Sequence, residues 1–297
     1  MEIRVLEYFL AVAREQNISR AAGYLHLTQP TLSRQLKELE EELGQQLFVR
    51  GNRKITLTQD GMFLRKRAQE IVDLVKKTEN EMHAADKSVS GEISIGAAET
   101  DAVRTVVQLV RRLQTEHHDI RLHIFSGDAV DTLEKLEKGL IDFAVLVGER
   151  DLSKYECLHL PKPDSWGVLM RRDSALAGKT RITPEDLAGQ PLILSRQSTS
   201  NRELMAWLQS GGAKPNVTAT YNLIYNASLM VDEGMGYALG LDKLISMTGN
   251  ASLCFVPLDP PVTMDAYIVW KKHQVFSRAA EALCKLFSNQ SAEEHRN

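Results

Sequence analysis

The sequence predicts an α/β protein in three parts: an α-rich amino-terminal head, a long linker helix and a two-lobed α/β body. Three observations carry this. The first 60 residues show three short helical periodicities and then a basic hairpin; residues 60–87 lack proline and contain only Gly61; beyond Lys87, strand-like and helix-like runs alternate through two rounds. A chain of 297 residues is longer than one core usually takes, which points to two or three domains. Its 43% apolar and 25% charged content excludes disordered and fibrous classes.

In the head, Val5, Leu6, Phe9, Leu10 and Ala13 recur at helical spacing, and Ile18, Ala21, Ala22 and Leu25 do so after a break at Gln16-Asn17. A third helix starts after Thr28, an N-cap residue, with Pro30 in the first turn where a missing N–H costs nothing. Its stripe of Leu32, Leu36, Leu39 and Leu43 spans about 60° at 100° per residue, so Pro30, Ser33, Arg34 and Lys37 point the other way. That outward face is small, polar and cationic, as a helix entering a major groove requires: Ser and Gln can bond base edges, and Arg can bond guanine or phosphate. A solvated amphipathic helix would show the same stripe. The residues LFVR, Gly51-Asn52 and RKITL then read as two strands around a turn, with Arg50, Arg53 and Lys54 near its tip. Three helices and a basic hairpin make a winged helix-turn-helix, whose wing cations would meet the phosphate backbone. Charge agrees: residues 1–67 hold 11 Lys+Arg against 8 Asp+Glu, giving +3, so the rest carries −6 of the total −3.

The run AAGYLHLTQPTLSRQLKELEEELGQQLFVR followed by LTQDG resembles the head of the LysR-type transcriptional regulators, over residues 2 to about 65. The resemblance implies base and groove contacts by Gln29, Pro30, Ser33 and Arg34, with Arg50 and Arg53 on phosphates; Thr31 and Lys37 complete the expected DNA-binding set.

From Asp60 to Lys87, Leu64, Ala68, Ile71, Val75, Thr78, Met82 and Ala85 form a heptad seam on a helix of roughly 40 Å. A helix packed on its own domain would also show such a stripe; the resemblance implies instead paired linker helices holding two heads at a fixed separation. The sequence thus divides into a head at 1–59, a linker at 60–87 and a body at 88–297, the body having lobe I at about 91–161 plus 265–297 and lobe II at about 162–264.

In the body, GEISIG, RLHIFSG and FAVLVG are strand candidates separated by helices at Ala102–Glu116 and Val130–Leu136. A second round runs through SWGVLM, LILS, Asn201–Leu208, VTATYN, Ile224–Val231 and GMGYALG, with AYIVW and a helix near Phe276–Phe287 closing the chain. Two such lobes imply a cleft between them, where ligands meet strand ends. HDIRLHIFSGDAVDTLEKLEKGLIDFAVLVG and LVDEGMGYALG resemble the two lobes of the same family's effector domain, a periplasmic-binding-protein-like (type 2) fold; Asp142, Gly234 and Gly236 fit its pattern, whereas Val106-Val107 and Leu241 depart from it. By that resemblance the cleft is lined by Ala98, Glu99, Thr100, Ser126, Gly127, Ser195, Arg196, Ser198 and Asn226. Arg196 would clamp a carboxylate, whereas Glu99 would oppose one or select a cation.

These readings point to a cytoplasmic, sequence-specific transcription factor modulated by a small molecule. The resemblance adds a homodimer or homotetramer, promoter DNA and RNA polymerase as partners. The first twenty residues carry charges that neither a signal peptide nor a membrane span tolerates, so no membrane partner is expected. Cys157, Cys254 and Cys284 form no C-x-x-C pair, and His117-His118-Asp119 has side chains that diverge, so neither metal nor cofactor is expected. The alternatives are an enzyme, or a ligand-independent architectural protein, tethered to DNA by the same head; no nucleophile elbow, phosphate loop or zinc-protease motif supports catalysis.

Overall fold

The computed structural model describes residues 1–51, 54–83, 89–198, 201–212, 214–246 and 252–294. The chain divides into two compact units, 1–86 and 87–297. In the first, α1 (Ile3–Glu15), α2 (Ile18–Tyr24) and α3 (Gln29–Leu43) precede a two-stranded antiparallel wing, β1 (Phe48–Arg50) and β2 (Ile55–Leu57), and then α4 (Gln59–His83). Phe9, Leu6, Val12, Ala21, Leu32, Leu36 and Leu39 bury together, so one face of each helix builds a single core.

Sequence periodicity misplaced two parts of this unit. Leu43 is 38% exposed, because α3 ends there against Gly44, whose φ of 66° places it in the left-handed cap position. The heptad seam is also divided: Leu64 and Ala68, together with the off-register Val72, are buried in the head's own core, while the seam residues Ile71 (37%) and Met82 (72%) and the off-register Leu74 (43%) are exposed. The first turns of α4 thus complete the head. Gly61 makes this docking possible, since a Cβ there would lie 2.1 Å from the Leu47 carbonyl oxygen. Thr58 donates to the Gln46 carbonyl at 2.7 Å and accepts from the Gly61 N–H at 2.9 Å, fixing the entry to α4. Ala85 lies outside the described residues.

The second unit is built on β3 (Gly91–Ala97), α5 (Val103–Glu116), β4 (Ile120–Ser126), α6 (Ala129–Glu137), β5 (Phe143–Val147), β6 (Tyr155–Arg171), β7 (Pro191–Ser195), α7 (Arg202–Ser210), β8 (Asn216–Tyr221), α8 (Ile224–Asp232), β9 (Tyr237–Leu241), β10 (Leu253–Pro257), β11 (Thr263–Lys271) and α9 (Arg278–Glu294), with a 3-10 turn at Pro184–Leu187. Strand order is β4-β3-β5-β11-β6-β9-β7-β8, with β10 also paired to β6. The first lobe pairs β3 with β4 and β5 in parallel, the second pairs β7 with β8 and β9 in parallel, and the antiparallel strands β6 and β11 run through both. Each lobe buries its own apolar set, around Phe143, Val145 and Ile268 in the first and Val168, Leu194 and Leu239 in the second.

Sequence patterning began β6 at Ser165, ten residues late, because Pro161 and Pro163 interrupt it. The structure tolerates both because they sit beside the irregular register between Met264 and Ala266, where the ladder has no regular bond to lose. It also missed the short β10. Asp142 is a structural tie: its carboxylate accepts the Ser94 N–H at 2.7 Å while its own N–H donates to the Ser94 carbonyl at 2.7 Å. At Gly236, φ is 147° and a Cβ would meet the Pro191 carbonyl oxygen at 2.2 Å, so β7 can approach β9 only over glycine.

Candidate functional site

The polar side of α3 is arranged as its sequence suggests. Thr28 caps the helix, accepting from the Thr31 N–H at 3.4 Å, and Pro30 occupies the first turn. Gln29, Pro30, Thr31, Arg34 and Lys37 are exposed and Ser33 half-buried, opposite the buried Leu32, Leu36 and Leu39. Gln29 Nε2 donates to Ser33 Oγ at 3.2 Å, which orients both polar groups in the leading turns. Arg34 lies 3.6 Å from Glu38 and Lys37 3.2 Å from Glu41, exposed pairs that a phosphate or guanine can outcompete. The wing follows the face, but Arg53 and the Arg50 side chain lie outside what is described; Lys54 is exposed.

Glu40 has a role its sequence did not announce. Its Oε1 accepts the Leu47 N–H at 2.7 Å and the Phe48 N–H at 3.1 Å, tying the third turn of α3 to the first strand of the wing. Glu40 is thus a half-buried structural tie and not a solvated surface charge.

Between the lobes of the second unit lies a cleft of about 1100 Å³. Five of the nine residues expected there line it: Ala98, Glu99, Gly127, Ser195 and Ser198. Ser195 and Ser198 lock one another, with Ser198 Oγ donating to the Ser195 carbonyl at 2.7 Å and the Ser198 N–H donating to Ser195 Oγ at 3.0 Å. Ser195 keeps its hydroxyl proton for other acceptors.

The other four expected residues lie elsewhere. Thr100 is buried, its hydroxyl donating to Asp164, while the Asp101 N–H donates to the same carboxylate at 3.2 Å. Burial, opposed by those bonds, holds the Asp164 carboxyl above its ordinary range. Ser126, Arg196 and Asn226 are exposed outside the wall. Ser126 ends an edge strand, and Arg196 leaves β7 with its backbone bonded to Tyr221 at 2.8 Å. Asn226 sits on the outer side of α8, whose buried residues are Ile224, Ala227, Ser228 and Val231.

The wall also contains residues that the sequence reading missed, among them Arg150, Tyr221, Trp166, Glu149 and Asp265. The Arg150 guanidinium donates to the Val147 carbonyl at 2.9 Å; burial pulls its pKa below the ordinary value, with Asp128 opposing, and it stays cationic throughout the physiological range. Tyr221 donates to the Leu239 carbonyl at 2.7 Å, and burial and then Glu99 push its phenol upward. Glu99 crosses the cleft: from the loop after β3 its Oε2 accepts the N–H of Ile224, the first residue of α8, at 2.5 Å. Burial raises the Glu99 carboxyl above its ordinary range, and that N–H bond offsets the rise only in part.

Residues 3–62 match the bacterial regulatory helix-turn-helix protein, lysR family, and residues 86–292 match the LysR substrate binding domain. The chain belongs to the LysR family of transcriptional regulators. Among the LysR regulators it resembles, the HTH-type transcriptional regulator IlvY of Escherichia coli is 31% identical, over 80% of this chain and 81% of that protein. YfeR of Shigella flexneri, an HTH-type transcriptional regulator, is 25% identical over 97% of this chain and 94% of its own. The crystal structure of the LysR regulator CbnR superposes with a TM-score of 0.77 at 20% identity, covering 96% of this chain and 99% of that one; full-length CbnR complexed with its target DNA gives 0.75 at 21%. The LysR assignment accounts for the winged head, the two-lobed body and the mixed sheet together. Among the described residues no helix is long and apolar enough to cross a membrane.

Proposed function

We propose that this LysR regulator is a cytoplasmic, sequence-specific DNA-binding protein that performs no catalysis, reads duplex DNA through the leading turns of α3, and takes a small-molecule effector in the cleft between the lobes of its body. The observation that carries the DNA reading is the polar, cationic face of α3, with Gln29, Pro30, Thr31, Arg34 and Lys37 exposed and Ser33 half-buried, on a helix whose opposite side buries Leu32, Leu36 and Leu39. Short side chains at its amino-terminal end permit close approach to base edges, and the wing supplies Lys54 for the backbone.

The working division is a head at 1–59, a linker at 60–87 and an effector domain at 88–297. The exposed apolar residues of α4 beyond the head core, Ile71, Leu74 and Met82, support self-association into a dimer, and pairs of dimers give the tetramer expected of the family. Closure of the cleft on an effector would alter how the effector domains pack and so the spacing of the heads, changing DNA bending or contact with RNA polymerase. DNA and effector then affect each other's affinity by the same factor.

The test is Arg34→Ala measured on the promoter-proximal site and on scrambled duplex. Loss of specific affinity by about 1–3 kcal/mol, with a smaller loss on scrambled DNA, is expected of a base contact. Equal loss on both duplexes makes Arg34 a phosphate contact, and no loss on either removes α3 from the interface.

A further inference from the structure

We propose that Glu99 sets the chemical class of the effector: a ligand that brings an ammonium, or a similar cationic hydrogen-bond donor, to this carboxylate. The inference rests on the reading of the cleft as the effector site. Its basis is the bond across the cleft, in which Glu99 from the first lobe caps the first turn of α8 in the second. Leu223, the residue before α8, offers no side-chain acceptor for that helix end, so the chain's own carboxylate takes the position where a ligand anion would otherwise be stabilised by unpaired N–H groups and the helix dipole. An incoming carboxylate would have to displace a tethered one, which competes at high effective concentration.

The compensation of Glu99 is also incomplete. Its carboxylate lines the cleft half-buried, and its bond among the described residues is the one from the neutral Ile224 N–H. Burial raises its pKa more than the Ile224 N–H lowers it, so the ionised group lacks part of the solvation it would have in water. A donor meeting the second oxygen would supply that deficit. The wall as a whole carries an excess of acid, with Glu99, Glu149, Glu203 and Asp265 against Arg150 and Arg202, and the Tyr221 hydroxyl is committed to the Leu239 carbonyl. Arg150 does not cancel it at Glu99, since its guanidinium is bonded to the Val147 carbonyl and interacts with Asp128.

Calorimetric titration of the full-length protein with ethanolamine, putrescine and agmatine, and in parallel with acetate, glycolate and benzoate, tests this. At least one amine is expected to bind at millimolar concentration or tighter and the carboxylates not to bind; Glu99→Gln, which keeps an acceptor for the Ile224 N–H, should weaken the amine at least tenfold while leaving the circular dichroism spectrum unchanged. Gly127→Trp, which fills the cleft from the first lobe, should abolish amine binding. The proposal is overturned if carboxylates bind in preference, if no amine binds up to 10 mM, or if Glu99→Gln leaves amine affinity intact. Where Gly127→Trp blocks a ligand that Glu99→Gln does not affect, the cleft reading stands and only the assignment to Glu99 falls. A ligand indifferent to both substitutions removes the cleft reading as well.

Discussion

Glu40→Ala should loosen the wing from α3 without touching the polar face that carries Gln29, Ser33 and Arg34. The Glu40 carboxylate accepts two backbone N–H groups, from Leu47 at 2.7 Å and Phe48 at 3.1 Å, and both residues are buried. Each N–H left without a partner costs about 1–3 kcal/mol; because water can reach part of this site, a total of about 2–4 kcal/mol is expected. The amino-terminal unit of 86 residues has a stability of roughly 4–13 kcal/mol at typical values per residue, so the loss is a large share of it. Hydrogen exchange on the full chain reads this directly: protection of the Leu47 and Phe48 amides and of β1 and β2 should fall, and affinity for specific DNA should fall with it. Glu40→Gln keeps an acceptor oxygen and should lose only about 1 kcal/mol, the ordinary net worth of one hydrogen bond. Unchanged exchange at both amides in Glu40→Ala, with head stability within about 0.5 kcal/mol of the parent, the range of a neutral surface change, would refute the coupling.

Three further outcomes follow from the packing and electrostatics. The double substitution Leu74→Glu with Met82→Glu places charge on the exposed apolar side of α4 while sparing Ala68 and Val72, so sedimentation should show a monomer whose head still melts normally; a retained dimer would exclude this face from the interface. Gly236→Ala forces a Cβ to within 2.2 Å of the Pro191 carbonyl oxygen, at a φ of 147°, and should destabilise the second lobe by about 3 kcal/mol or more, seen as a lowered denaturant midpoint. Asp164 has its carboxyl raised by burial, so the native state binds its proton more readily than the unfolded chain, and this residue's contribution to stability falls as pH rises from 3.8 through the higher native value. Stability of the parent relative to Asp164→Asn should decline across that interval in paired urea titrations, and a flat or rising difference would contradict the assignment.

The sequence by itself determined the three helices of the head, the wing, the long α4 and the alternating strands and helices of the body. Each follows from local periodicity, caps and turn residues that sit close together in the chain. It also placed Gln29, Ser33 and Arg34 on one face, because a helix fixes the directions of its side chains once its buried stripe is known. Tertiary structure alone decided how the α4 stripe is divided, with Leu64 and Ala68 joining the head core while Ile71 stays outside, since packing partners are not encoded in spacing. It alone separated the cleft wall from its neighbours, turning Thr100 inward to Asp164 and bringing in Arg150 and Asp265. Glu40 bonding to Leu47 and Glu99 reaching Ile224 span 7 and 125 residues of chain, and the second pairing exists only because β6 and β11 carry the polypeptide between lobes and bring distant backbone within hydrogen-bond reach.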